Sequence, residues 1–494
     1  MAGRAPGAGP SGPPPGETLL DVLAEVRIGN HRPFLLAADG SVLLTYDGAA
    51  RRSARLAHAL ADRGLRPGDR LALQAAKRVD TLLLYLACIR AGVVLLPMNT
   101  GYTAAEVAHL VADAEPRLVV DDAGLDALAR AAADADAVHD ELVDHPSRPD
   151  DLAAILYTSG TTGRAKGAML SHRNLASNTI TLAQLWGFTG DDVLLHALPI
   201  FHTHGLFVAT NCCLVAGAAM VFLDRFEPDT VLAALPRCTA MMGVPTFYTR
   251  LLADPRFGPD VCAGMRLFVS GSAPLLASTH VEFEARTGHR ILERYGMTET
   301  TMLTSNPLRG ERRAGTVGLP LPGVDVRVVD DAGGPVDVGE VGSVEVRGPN
   351  VFGGYWHRPD LAATEFTADG FFRTGDVGRF DADGYLHLVG RSKDLVITGG
   401  LNVYPVEVEA VLDELPGVLE SAVIGVPDPD FGEAVVAVVV AEPGVRLDTD
   451  AVRAAARDLL AGFKVPKQVH VVDVLPRNAM GKVEKAVLRR TYGV

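Results

Sequence analysis

The chain has 494 residues, of which 48% are hydrophobic and 21% charged, with a formal net charge of −14. That length exceeds what one hydrophobic core supports, so two or more domains are predicted, and the composition is globular rather than disordered. The acidic balance argues against a nucleic-acid binder and fits a soluble, cytoplasmic protein, in which a basic pocket can still sit within an acidic surface.

Met1 to Gly16 is rich in Gly, Pro and Ala, with Arg4 as its only basic residue, and reads as a disordered tail rather than a signal peptide. No apolar run reaches the length needed to span a bilayer, so no membrane partner is expected. From Thr18 onward helical and strand-like stretches alternate. Leu56 to Arg63 is predicted as a helix, Arg70 to Leu73 as a strand, Asp80 to Ala91 as a helix stopped by Gly92, and Val93 to Pro97 as a strand. This alternation predicts an α/β architecture with largely buried parallel strands. Ala127 to Ala135 adds an Ala/Asp-rich surface helix.

Between residues 315 and 390 the short β-type runs Val324 to Val329, Gly342 to Val346 and Tyr385 to Leu388 are separated by Gly, Asp and Pro turns, the mark of a small β-rich subdomain. Beyond Lys393 lies a stretch of about a hundred residues, a comfortable small domain. It has its own predicted helices (Pro405 to Leu412, Thr449 to Leu460) and strands (Ser421 to Val426, Ala434 to Val440). The expected organisation is a large N-terminal domain over 17–392, built of α/β layers with the β-rich subdomain, and a small α+β C-terminal domain over 393–494. Cys88, Cys212, Cys213, Cys238 and Cys262 form no CxxC pair and no metal spacing with histidine, so they read as buried thiols.

The strongest local signal is Tyr157-Thr158-Ser159-Gly160-Thr161-Thr162-Gly163-Arg164-Ala165-Lys166-Gly167, which follows the apolar run Leu152 to Leu156. Glycines let the backbone approach closely and point successive N–H groups at an anion, hydroxyls add donors, and Lys166 adds a point charge. The combination suits a polyphosphate. A plain Ser/Thr/Gly surface loop is the alternative, and the strand leading in and the lysine closing it count against that. The pattern GxxxxGK[ST] fails because Gly167 follows Lys166, which disfavours a kinase- or ATPase-type NTPase.

This loop resembles the signature of the adenylate-forming superfamily of acyl-CoA synthetases, luciferases and peptide-synthetase adenylation domains, with Ala165 where the family usually carries proline. Further family motifs follow in order, and the resemblance runs from about Thr18 to the C-terminus. By that resemblance Thr158, Ser159, Gly160, Thr161, Thr162, Gly163 and Lys166 cradle the phosphates of ATP. Ser272 and Ala273, in Ser270-Gly271-Ser272-Ala273-Pro274, back the adenine. In Tyr295-Gly296-Met297-Thr298-Glu299, Tyr295 stacks on adenine, Thr298 bonds a phosphate and Glu299 holds Mg²⁺, a cation that typically takes only one or two protein carboxylates. Asp376 in Arg373-Thr374-Gly375-Asp376 accepts from the ribose hydroxyls, the usual role of an acid beside a ribose diol. Arg391 bonds ribose or phosphates and Lys393 is the hinge. Gly399 and Gly400 border the coenzyme A thiol tunnel, and Lys482, closing Pro476 to Lys482, is the catalytic lysine.

The implied reaction begins when a carboxylate attacks the α-phosphorus of ATP, giving an acyl-adenylate and pyrophosphate. Lys482, Thr298, the phosphate loop and Mg²⁺ on Glu299 supply positioning and charge stabilisation. The mobile C-terminal domain then rotates about Lys393, Lys482 leaves, and the thiol of coenzyme A attacks the carbonyl and releases AMP.

Arg294 bears on which acid is used. Glu293-Arg294-Tyr295-Gly296, together with Ile200 to Phe207 and Gly243 to Thr246, resembles the malonyl-CoA synthetase branch. A dicarboxylic acid brings a second carboxylate whose unpaired burial is prohibitive, and a guanidinium pairs it bidentately at any working pH. Arg294 is therefore the expected anchor for malonate, and for methylmalonate as a wider substrate, with His202 as a second donor at the reaction centre. The competing role for Arg294 is a local pair with Glu293 or Glu284. The spacing of His196, His202 and His204 suggests a metal, which the family context disfavours. The alternatives are a CoA ligase for another short-chain or aryl acid, an adenylation domain serving a carrier protein, and a silent nucleotide sensor, the last of which would need neither Lys482 nor Glu299.

Overall fold

A computed structural model describes residues 18–135, 137–142, 144–158, 165–399, 401–478 and 481–493. The tail read at 1–16, and the site residues Ser159, Gly160, Thr161, Thr162, Gly163 and Gly400, lie outside the described residues.

The protein is a mixed α/β structure with a large N-terminal part and a small C-terminal part. A nine-stranded sheet runs in the order Leu319–Pro320, Thr301–Ser305, Leu292–Met297, Leu267–Ser270, Ala240–Gly243, Val193–His196, Ala219–Phe222, Pro33–Leu36 and Val42–Thr45. Its centre is parallel and its two ends are antiparallel. The central strands Leu267–Ser270 and Ala240–Gly243 are buried along their whole length, which is why they read as continuous apolar runs. A second sheet orders Leu118–Asp121, Arg70–Gln74, Val94–Pro97, Leu152–Thr158 and Lys166–Ser171, parallel except for its last pair. The strands Asp325–Val329, Gly342–Arg347, Phe372–Phe380 and Leu386–Arg391 make a four-stranded antiparallel sheet over the stretch read as β-rich.

The helix predicted over Leu56 to Arg63 is the end of a longer one, Tyr46–Asp62, capped by the Thr45 hydroxyl accepting from the Gly48 N–H. Its first turns bury Ala49, Ala50 and Ala54, but Arg51, Arg52 and Arg55 interrupt the apolar period. These arginines pair with Asp47, Asp80 and Asp140 while staying partly in water, so the apolar period was legible only further along, at Leu56 and Leu60. The helix Val79–Ala91 ends as expected at Gly92, whose φ of 67° is left-handed.

The C-terminal sheet contains Leu401–Val403, Val396–Thr398, Gly432–Ala441 and Val418–Asp428, with Gln468–Val472 beside Gly432–Ala441. Val435, Ala437 and Val439 join a core with Val408 and Val452, while Ala434, Val436 and Val438 join another with Ile424 and Leu488. The period of two along one strand thus feeds a core on each face. Among the described residues no helix is long and apolar enough to cross a membrane, and all five cysteines are buried thiols without disulfides.

Candidate active site

The ends of the phosphate loop, Thr158 and Lys166, are partners across the antiparallel pair that the loop connects. Lys166 Nζ lies 3.1 Å from Glu365 and 4.9 Å above the Tyr355 ring. The Tyr355 hydroxyl donates to buried Glu299 at 2.9 Å, and the Thr158 hydroxyl stands 3.5 Å from the same carboxylate oxygen. Burial raises the Glu299 pKa, and its hydrogen bonds and Arg391 oppose that rise. Thr158, Lys166 and Glu299 therefore meet around Tyr355, a residue the motifs passed over. Among the described residues no three His, Cys, Asp or Glu side chains gather as a cation cage. One carboxylate beside a hydroxyl is the donor set suited to Mg²⁺ shared with a polyphosphate.

Three of the residues expected at the nucleotide, Tyr295, Asp376 and Arg391, are joined directly. The Tyr295 hydroxyl donates to Asp376 at 2.5 Å, and the other Asp376 oxygen accepts from Arg391 Nε at 2.8 Å. Ser272, at a left-handed φ of 73°, brings its hydroxyl to 3.4 Å from His204 Nδ1, and Ala273 follows it. Lys393 sits in the turn Ser392–Asp394, where Asp394 pairs with Arg489 at 2.7 Å and the Ser392 hydroxyl donates to the Gly375 carbonyl at 3.3 Å. Gly399 takes a φ of 57° beside the Phe431 ring.

On the strand Leu292–Met297, Glu293 and Arg294 point to opposite faces, and neither local pairing considered for Arg294 forms. Glu284 pairs with Arg290 at 2.7 Å, and Glu293 accepts from the Leu275 N–H at 3.3 Å, its carboxyl raised to about 8 by burial. Arg294 is 2% exposed. Its guanidinium lies over Gly271, where an added Cβ would stand 2.5 Å from Cζ. Nε and Nη2 have no hydrogen-bond partner among the described residues, and neither does Nε2 of buried His204. Burial and then Arg294 hold His204 neutral, far below its ordinary pKa. His204 is thus the histidine coupled to Arg294, and its place two residues after His202 was the available signal. His202 lines a pocket with Tyr157, Phe201 and Thr298, its pKa lowered to about 4 by burial and by Lys482.

Lys482 enters this cleft from a turn in which Asn478 accepts from the Lys482 N–H at 3.1 Å and Arg477 donates to the Gly481 carbonyl at 2.6 Å. Gly481 has a φ of 72° and approaches Thr246 closely. Lys482 is exposed to solvent, which screens the charges acting on its ammonium. The protein packed around the cleft, then Arg391 and Arg294, lower its ammonium to about 8 against the opposing pull of Asp376 and Glu299. A lowered lysine pKa means charge is lost as pH rises through that value. Pyrophosphate release is therefore expected to fall above about pH 8, by about tenfold per further unit. Lys482→Arg, charged throughout, is expected to flatten that limb.

The AMP-binding enzyme family model matches residues 27–356, and the AMP-binding enzyme C-terminal domain model matches 407–482. A feruloyl-CoA synthase of Amycolatopsis sp is 40% identical over 468 residues, covering 92% of this chain and 95% of that protein. A malonate–CoA ligase of Arabidopsis thaliana is 40% identical over 373 residues, covering 69% of this chain and 61% of that protein. ATP-bound MatB from Rhodopseudomonas palustris matches with a TM-score of 0.91 at 52% identity, covering 96% of this chain and 99% of that one. With both models matched in order along the chain, it belongs to the AMP-binding enzyme family and is an AMP-forming acid–CoA ligase that uses ATP and coenzyme A.

Proposed function

We propose that the acid is malonate, ligated to coenzyme A through malonyl-adenylate. The observation that carries this reading is the buried Arg294, with two guanidinium nitrogens and a neighbouring His204 nitrogen that have no hydrogen-bond partner among the described residues. A protein rarely leaves such donors unpaired, because each costs desolvation energy that only an acceptor restores. A carboxylate at the far end of a short diacid is that acceptor. The relationship to a malonate–CoA ligase supports the same choice. The equal identity to a feruloyl-CoA synthase does not favour an aryl acid, since an aryl group would bury against an unpaired guanidinium.

In this reading Arg294 and His204 hold one carboxylate and leave the other to attack the α-phosphorus. Tyr295 and Ser272 wall the adenine, Asp376 receives the ribose, and Thr298 with Lys166 meets the phosphates. Lys482 stabilises charge on the phosphoryl oxygens as the new bond forms. Glu299 would hold Mg²⁺, which neutralises phosphate charge. Swinging the C-terminal residues about Lys393 withdraws Lys482 and admits the thiol past Gly399.

Acyl-CoA formation with malonate, methylmalonate, succinate, acetate, benzoate and ferulate tests the assignment. Malonate is expected to lead by orders of magnitude, and parity with acetate or ferulate would overturn it. Gly271→Ala is a milder probe of the same pocket. Its Cβ displaces the guanidinium, and kcat/KM for malonate is expected to drop about tenfold or more while ATP binding holds.

A further inference from the structure

Lys77 lies in the connection between the strand Arg70–Gln74 and the helix Val79–Ala91, in the smaller of the two N-terminal mixed sheets. Its ammonium crosses to the other sheet, where Nζ is 2.9 Å from His196 Nδ1, 2.8 Å from the His196 carbonyl and 4.5 Å from the Phe222 ring centroid. No carboxylate among the described residues forms an ion pair with it; Asp224 acts on it only through space. Burial without an ion pair pushes the Lys77 amine well below its ordinary pKa, so a lysine kept there with hydrogen bonds to His196 calls for an explanation.

The far side of the His196 ring supplies one. His196 is 1% exposed, and its Nε2 is 2.9 Å from the Gly205 carbonyl and 3.3 Å from the Thr210 hydroxyl, which itself donates to that carbonyl at 3.0 Å. A carbonyl can only accept, so Nε2 carries the proton, and Nδ1 is left as the acceptor for Lys77. The chain of bonds therefore has one direction from ammonium to imidazole to carbonyl. Gly205 belongs to the wide, π-type helix His204–Thr210, and an added Cβ at Gly205 would collide with the Pro199 carbonyl. The segment between His196 and Gly205 thus closes on itself, with His202 and His204 in its final turn.

We propose that Lys77 is a positioning residue for the acid pocket: through His196 it fixes the Gly205 carbonyl, and with it the placement of His202 and His204. This rests on the reading of those histidines as part of the acid site. Lys77 touches no reacting atom, and its effect passes through the ring it orients. Without the Lys77 amine, Nδ1 and the carbonyl of His196 both lose their donor, and the ring that holds the Gly205 carbonyl is left anchored on one side only.

The test is Lys77→Met, which keeps the stem and removes the donor, assayed with whichever acid the wild type turns over best. KM for the acid is expected to rise about tenfold, at the low end of what a small misplacement of positioning groups costs, while KM for ATP stays within about twofold. In protein carrying ¹⁵N-labelled histidine, the His196 Nδ1 resonance is expected to shift as its hydrogen bond is lost. Should the methionine variant fail to fold, Lys77→Gln, whose shorter amide cannot hold both acceptors, is expected to give the same split at about threefold. Equal changes in both KM values, or none, with an unmoved His196 resonance would overturn the proposal. A wild type that prefers an acid other than malonate would sink the substrate assignment and leave this inference standing.

Discussion

Arg294→Ala is expected to lower kcat/KM for malonate about a thousandfold, close to 4 kcal/mol of transition-state binding. The guanidinium is buried and two of its nitrogens have no partner among the described residues, so without it the diacid's second carboxylate would meet neutral His204 in place of a charge. Burying that charge unpaired is the dominant cost. Acetate has no second carboxylate, so its rate is expected to change by less than about tenfold, and the malonate-to-acetate ratio collapses. A folded, ATP-binding variant that keeps the wild-type ratio would mean that another group recognises the acid. Measuring both acids on both proteins separates this from a general loss of activity.

Lys482→Ala is expected to slow adenylation by about 10²–10³, the range for removing one preorganised charge from a developing oxyanion. The charges that act on Lys482 are the reason the loss is expected in one half-reaction. Lys482 acts on His202 and is itself acted on by Arg391, Asp376, Arg294 and Glu299, all within the cleft assigned to the first step. Thioester formation from preformed malonyl-adenylate needs no such cation and is expected to stay within about threefold. Pyrophosphate release and single-turnover thioester formation read the two steps apart. Equal loss in both would place Lys482 in a structural role.

The parts of this protein that were legible in its sequence are those in which chemistry and local order coincide. The apolar run Val93 to Pro97 announces the buried parallel strand Val94–Pro97, and the residues from Tyr295 to Glu299 carry a readable motif within five positions. What stayed hidden depends on partners remote in the chain. Tyr355 gains its interest from Glu299 and Lys166, Gly271 from Arg294, and Lys77 from a histidine 119 residues away. Tyr355 and Lys77 belong to no periodic pattern or family motif, and although Gly271 lies in the segment Ser270 to Pro274, only tertiary packing brings it under Arg294. The wide helix at His204–Thr210 was hidden for another reason, since an extra residue per turn leaves no mark on composition.

Asp376 and Asp394 also have a mechanical meaning. The first is grasped by Tyr295 and Arg391, the second by Arg489, and only the short turn Ser392–Asp394 lies between the two grips. A rod clamped at both ends and slender in the middle bends only in the middle. Torque on the C-terminal residues would concentrate in those few backbone angles, favouring a small number of resting positions over a loose continuum of them.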